Sequence, residues 1–231
     1  MKLAVTGVGL STPLGNTLSD VISNTRNKVI PIVPYKPDEH FSNWALKSKF
    51  AYHCDLDALD VDHLIPRKDR RWYDPTVISS MYAVDLALKM SGIDLPKHTG
   101  VFVGSIRGGA PNLARFGQTL YKQKTKVHPR ILLSSSTEYV SNHISAHYQL
   151  TGPSMVTSGT CISAIQALDI AEKYLSDTDN DMDCAIVGGT DFMTSSLCTQ
   201  YFEQLGAIAE WDGEEDPSTL SRPWDNYRNG F

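Results

Sequence analysis

Apolar residues fall into short runs separated by glycine-rich turns and into longer stretches with helical spacing. Lys2–Thr6 reads as a short buried strand entering a glycine turn, and residues 16–26 read as a short polar helix. Residues 30–65 show little periodicity and carry Pro31, Pro34 and Pro37, which predicts a long surface excursion. From Asp74 to Met90, Val77, Met81, Val84 and Leu88 recur at helical spacing, and Ser91-Gly92 supplies a stop. Val101–Val103 is β-branched and aromatic, hence a strand, and 111–122 and 136–149 read as helices. Met155–Thr157 is a strand, and Ile162–Leu175 a strongly apolar helix. The polar stretch SDTDNDMD leads into a strand at Cys184–Val187, then Gly188-Gly189 and a helix near 197–207. Strands alternating with helices, with glycine turns at strand ends, predict an α/β layered fold.

Composition narrows the function classes. A chain of 231 residues holds one large domain or two small ones. Hydrophobic content of 41% and charged content of 20% argue against wholesale disorder. The net charge of −5 disfavours a nucleic-acid partner, since phosphate binding wants a basic surface. Thr6, Gly7, Gly9 and Pro13 interrupt the apolar start too early for a signal peptide. No stretch approaches the roughly 20 apolar residues of a membrane span. Cys54, Cys161, Cys184 and Cys198 are widely spaced without a C-x-x-C pair. That argues against a disulfide scaffold or zinc site and predicts a reducing, cytoplasmic setting.

The most informative segment is GPSMVTSGTCISAIQAL, residues 152–168. A strand runs into a turn of small residues, and Cys161 stands where the apolar helix begins. The helix dipole and the free N–H groups there favour negative charge on the sulfur, and they could stabilise an oxyanion on an attached acyl group. The alternative is a buried structural cysteine. The turns TGVG, GSIRGG and VGGTD fit backbone packing better than phosphate binding. Thr12 occupies the place of the third glycine of G-x-G-x-x-G, and neither a P-loop nor G-x-S-x-G occurs. Asp177, Asp179, Asp181 and Asp183 lack the glycine and glutamate of a calcium loop and read as a solvated turn. His143 and His147 have metal-ligand spacing but no third ligand, which favours helix surface or core. Arg67, Lys68, Arg70 and Arg71 form one basic cluster, and Lys122, Lys124, Lys126 and Arg130 a second. They are either solvated surface or a dock for an acidic partner.

Taken in order, VTGVGLSTPLG, RKDRRWYDP, GVFVGSIRGG, YQLTGPSMVTSGTCISAIQAL, CAIVGGTD and SRPWDNYRNGF resemble the N-terminal half of the β-ketoacyl synthases, the condensing enzymes of fatty acid and polyketide synthesis. The resemblance implies the thiolase-like fold, a layered α-β-α-β-α sandwich of two similar halves. This chain is expected to carry the N-terminal half as one domain over residues 1–231, paired as a homodimer or heterodimer. It implies Cys161 as nucleophile and backbone oxyanion donor. It further implies acyl and malonyl thioesters as substrates, acyl carrier protein as partner, and no metal or redox cofactor. Carrier-protein contacts are expected at Arg67, Lys68, Arg70, Arg71, Lys124, Lys126 and Arg130.

Several positions depart from the family pattern. Gly159-Thr160 stands in place of Thr-Ala before the cysteine, Ala164 in place of a glycine, and Trp224 in place of Phe. Arg107 occupies a position near the acyl pocket that is usually small or apolar, which implies a polar or short substrate, or a side chain turned away. The family's two histidines and lysine lie downstream of RPWDNYRNGF, and none of the chain's seven histidines matches them. The chain is therefore expected to need a C-terminal half for decarboxylation, and to be poorly soluble or obligately paired without one. A non-catalytic subunit of the chain-length-factor kind is the alternative, and such subunits typically replace the cysteine.

Overall fold

The computed structural model describes residues 3–37, 46–47, 49–123 and 128–231. In chain order the elements are α1 (Leu18–Arg26), β1 (Ile32–Pro34), β2 (Phe50–Tyr52), α2 (Pro75–Ser91), β3 (Gly100–Gly104), α3 (Ala110–Gln123), α4 (Arg130–Ser134), α5 (Tyr139–His147), β4 (Ser154–Thr157), α6 (Ser163–Ser176), β5 (Ala185–Gly189) and α7 (Ser196–Gln204). β1 and β2 form a small antiparallel pair. β3 lies between β4 and β5 and runs parallel to both.

β3 takes the centre because it has no polar side chain to keep wet, and all five of its residues are buried. Its side chains alternate between two apolar layers. Val101 and Val103 join Val77, Ile78, Met81 and Val84 of α2 and Val140 and Ile144 of α5. Phe102 joins Ala167 and Ala171 of α6 and Met182 on the other face. Because β4 and β5 are not neighbours, the connection between them must cross β3, and α6 lies over that crossing. The result is an α/β layered unit, a parallel sheet with α2 and α5 on one face and α6 on the other.

α2 has the boundaries its sequence predicts. Pro75 occupies the first turn, the Asp74 side chain accepts from the Thr76 amide at 3.0 Å, and Gly92 closes the helix at φ 62° with its N–H on the Leu88 carbonyl. Asp74 is fully buried. Its carboxylate also accepts from the Thr76 hydroxyl at 2.7 Å and the Asn112 amide at 3.1 Å, which ties α2 to α3. Burial pushes its carboxyl above the usual range, and these hydrogen bonds oppose the shift.

Four expectations need correction. Leu3–Thr6 forms no ladder among the described residues; Leu3 is 43% and Val5 86% exposed. The segment is held instead at its glycines. A Cβ on Gly7 would sit 2.0 Å from the Ala87 carbonyl oxygen, and one on Gly9 1.7 Å from that of Ala83, so packing on α2 is their role. Second, the 30–65 excursion contains the β1–β2 pair and ends in core: Leu59, Val61, Leu64 and Ile65 are buried. The amides of Leu64 and Ile65 share the Val61 carbonyl in a tight turn, which buries apolar residues without a helical period. Third, the helix expected over 136–149 begins at Tyr139, and a separate short α4 precedes it. Fourth, the apolar helix α6 turns only Ser163, Ala167 and Ala171 fully inward, leaving Ile165 and Leu168 exposed. The Asp177–Asp183 stretch is a capped turn, with Asp177 accepting from the Asp179 amide at 3.0 Å.

His143 is a packing residue. Its ring lies 4.8 Å from Tyr73, 5.5 Å from Tyr139 and 6.5 Å from His147, and its Nε2 is buried without a partner. Burial, with the charge of His147 second, pushes its pKa down to about 4. The folded state therefore holds His143 neutral, and the unfolded state binds the extra proton as pH falls below the usual histidine value. Stability present above about pH 6.5 is thus lost toward about pH 4. Urea unfolding at pH 7 and pH 5 should differ by about 2 kcal/mol from this group, and His143→Phe should shrink the difference. An undiminished difference in the variant would assign the effect elsewhere.

Candidate active site

β3, β4 and β5 end on one side at Gly104, Thr157 and Gly189, and the loops that follow form a shared rim. Ligands of parallel α/β sheets bind outside such carboxyl ends. Two hydrogen bonds join the loops: the Ser105 amide donates to the Thr157 carbonyl at 3.0 Å, and the Thr190 amide to that of Gly104 at 3.0 Å.

The loop after β4 is a strained turn. Thr160 has φ 54°, a left-handed conformation that a β-branched residue rarely adopts. Side chains around it hold the strain. The Ser163 hydroxyl donates to the Thr160 carbonyl at 2.6 Å and accepts from the Gly159 amide at 2.9 Å, while the Thr157 hydroxyl donates to the Ser163 carbonyl at 2.7 Å. Thr160–Ile162 forms a 3-10 turn that leads into α6, whose first turn carries no side-chain cap. Cys161 is thereby presented to solvent beside the first backbone N–H groups of a 14-residue helix. Of the four cysteines it is the exposed one. Cys54 and Cys184 are half-buried, and Cys198 is buried, which pushes its thiol upward. Cys198 has the burial of a structural cysteine, and Cys161 does not.

The turn sits where it does because two strand ends lack side chains. A Cβ on Gly104 would lie 2.3 Å from the Ala164 nitrogen, and one on Gly189 2.7 Å from the Ala164 Cβ. α6 therefore begins in direct contact with the sheet, and Ala164 is accommodated in the place of a family glycine.

Arg107 stands on the loop after β3. Asp191, two residues beyond β5, receives the Ser105 hydroxyl at 3.1 Å and the amides of Ile106 and Arg107 at 3.0 and 2.8 Å. The Arg107 guanidinium lies 5.5 Å from the ring centre of Tyr201 on α7. The apolar pattern gives no sign of this role for Asp191. The one available signal is an acidic residue directly after the VGGT strand end.

The basic residues are partly gathered. Trp72 stacks on Phe116 at 6.4 Å and lies 4.7 Å from His128, just before α4, which brings Arg71 and Arg130 into one neighbourhood. The Arg71 guanidinium covers the Trp72 ring at 4.8 Å. Arg115, not singled out by the sequence, joins them through the Arg71 carbonyl. Arg70 is taken out of this set by Asp62 at 2.9 Å, whereas Arg67 and Lys68 are exposed. Lys124 and Lys126 lie outside the described residues.

The described histidines find other partners. His53 packs on Phe192, His63 pairs with Asp85, His98 meets the Asn180 carbonyl and His128 meets Trp72. Among the described residues no group of three or more His, Cys, Asp or Glu could hold a metal, and no helix is long and apolar enough to cross a membrane. An apolar cavity of about 340 Å³ opens elsewhere, between β2, α7 and Trp211, and Cys161 does not line it.

The layered sheet and the cysteine turn place the chain among the thiolase-like α/β proteins. More narrowly, it belongs to the β-ketoacyl synthase family: the family model for the β-ketoacyl synthase N-terminal domain matches residues 1–231. It is 26% identical over 240 residues to the 3-oxoacyl-[acyl-carrier-protein] synthase 2 of Coxiella burnetii, and 26% over 238 residues to that of Vibrio cholerae. Both alignments cover 100% of this chain and 55% of the relative, so the chain spans about half the length of the curated relatives it matches. A crystal structure of a β-ketoacyl synthase from Burkholderia phymatum shares the fold with a TM-score of 0.81 at 22% identity, over 98% of this chain and 55% of that one. The ishigamide ketosynthase/chain length factor shares it with a TM-score of 0.73 at 17% identity, over 93% and 57%.

The close approach at Gly104 can be tested directly. Gly104→Ala should destabilise the protein by about 3 kcal/mol in urea unfolding, because the added methyl meets backbone. Gly188→Ala, which has open space, should cost under about 1 kcal/mol. Equal effects would remove the contact from the account.

Proposed function

We propose that Cys161 is the acyl-accepting nucleophile of a decarboxylative condensing enzyme of fatty acid or polyketide synthesis. The observation that carries this is the exposed cysteine on the strained Thr160 turn at the start of α6. Its thiolate attacks the carbonyl of an acyl thioester, and the carrier or coenzyme A thiol leaves with the proton. The negative oxygen formed in between is met by the Cys161 backbone N–H. Malonyl-carrier protein then loses carbon dioxide to give an enolate. The enolate carbon attacks the Cys161 thioester, the chain grows by two carbons, and the sulfur is released. Loss of carbon dioxide supplies the driving force, so no cofactor is invoked. Four unpaired cysteines suit the reducing cytoplasm proposed for this chemistry.

The histidines that handle the malonyl group would come from a second thiolase-like half, in the same chain or another. Exposed Ile165 and Leu168 on α6, with Ile162 just before it, offer it an apolar face. Pairing with another ketosynthase-type chain, as a homodimer or heterodimer, belongs to the same proposal. The retained Cys161 favours the catalytic reading over a non-catalytic chain-length-factor role. Incubation with an acyl thioester followed by mass spectrometry should load Cys161 at least about tenfold faster than Cys54, Cys184 or Cys198. Loading spread evenly over the four would sink the proposal.

An acidic acyl carrier protein is proposed to dock on Arg67, Lys68, Arg71 and Arg130, and Lys124 and Lys126 are proposed with them from the sequence alone. Arg70 contributes less, since Asp62 already engages it. Charge reversal at Arg67 and Lys68 together should weaken carrier-protein binding by about tenfold at low salt and less at high salt. Unchanged binding at low salt would refute the docking site.

A further inference from the structure

We propose that Ser163 is a positioning residue that aims the Cys161 backbone N–H at the oxyanion of the acylation step. The inference rests on Cys161 being the acyl acceptor, and it adds the group that sets the direction of its amide.

The aim follows from one peptide plane. The Thr160 carbonyl and the Cys161 N–H belong to the same trans peptide unit, so they point in opposite directions. The Ser163 hydroxyl donates to that carbonyl at 2.6 Å. Ser163 is only 4% exposed, so the carbonyl is drawn inward, toward the first turn of α6. The Cys161 N–H is thereby turned away from the buried hydroxyl, and among the described residues no acceptor meets it. Sulfur and N–H then belong to one exposed residue and can engage the same acyl carbonyl, the sulfur at carbon and the N–H at oxygen.

This direction has to be held, because the turn is strained. At φ 54° a β-branched residue leaves the left-handed region when nothing retains it, and that change rotates the Cys161 N–H. The Ser163 hydroxyl also accepts from the Gly159 amide at 2.9 Å, so one oxygen ties both ends of the Gly159–Thr160 pair. Donating once and accepting once, the hydroxyl is fixed in its own rotation. Ser163 is tied down in turn: its carbonyl accepts from the Thr157 hydroxyl at 2.7 Å, at the end of β4. Gly159 is closed on its Cβ side by Gln166, whose Oε1 lies 2.0 Å from where a Cβ would stand. In the step concerned, the Cys161 thiolate bonds to the acyl carbon and the carbonyl π electrons move to oxygen. The oxyanion then collapses, the bond to the departing sulfur breaks, and that thiolate takes up the proton Cys161 gave up.

The test separates acylation from alkylation of the same sulfur. Acylation by hexanoyl-N-acetylcysteamine passes through an oxyanion. Alkylation by iodoacetamide displaces iodide at a saturated carbon and forms none. Both are followed at Cys161 of the full chain by mass spectrometry. Ser163→Ala should slow acylation by about a hundredfold and alkylation by less than about threefold. Ser163→Thr keeps the hydroxyl and should recover acylation to within about tenfold of the wild type. Circular dichroism and urea midpoints establish that each variant is folded. If a Ser163 variant is not, Thr157→Val, which frees the Ser163 carbonyl, takes its place, with an expected loss of about tenfold in acylation alone. Acylation unchanged in folded Ser163→Ala overturns the inference and leaves Cys161 as the acceptor. Equal loss of acylation and alkylation assigns Ser163 to exposing the sulfur, and folded Ser163→Thr as slow as Ser163→Ala denies the hydroxyl its role; either overturns the inference too. Failure of the wild type to acylate Cys161 while iodoacetamide modifies it overturns the acyl-transfer reading and this inference together.

Discussion

Everything at the candidate site depends on how closely the start of α6 approaches the ends of β3 and β5. The approach is a backbone contact, made possible by the missing side chains of Gly104 and Gly189 against Ala164. It has two consequences. The helix amides of the first turn are brought over the sheet rim, and the chain between β4 and α6 has too few residues to relax. Thr160 takes up the difference at φ 54°, and Cys161 is pushed outward as the next residue. The exposure of the sulfur is thus a result of sheet geometry, with side chains of Thr157 and Ser163 holding the turn in place.

Carboxylates organise the neighbouring loop by a different means. Asp191 and Asp74 each accept from two or more groups, and among the described residues neither forms an ion pair. Burial makes the ionised Asp74 costly, and its hydrogen bonds offset part of that cost. What the pair achieves is the placement of residues 105–112 relative to both α2 and β5. The loop is positioned by its backbone, so the side chain at 107 can vary without disturbing the scaffold.

Much of this was legible in the residues. α2 announced itself by an apolar period, an Asp-Pro start and a glycine stop, all local signals that packing did not override. β3 was legible because five consecutive small or apolar residues suit a strand buried on both faces. Leu3–Thr6 misled, since an apolar run shows what could be buried and not whether a neighbour is there to bury it. The 56–65 segment hid its core residues because tight turns, unlike helices, impose no period. Cys161 could be placed at a helix start from the sequence, but the strain at Thr160 could not, as nothing in a threonine marks a positive φ. Arg70 looked equivalent to its neighbours until Asp62, eight residues earlier, was found against it.

The three-stranded sheet has a further property. Among the described residues neither outer strand, β4 or β5, pairs along its far edge, and neither SMVT nor AIVGG contains a charge or a proline. Natural sheets usually guard such edges with lysines, prolines or bulges. Two unguarded edges on so small a sheet are a ready template for pairing with a further strand, whether of this chain or of another.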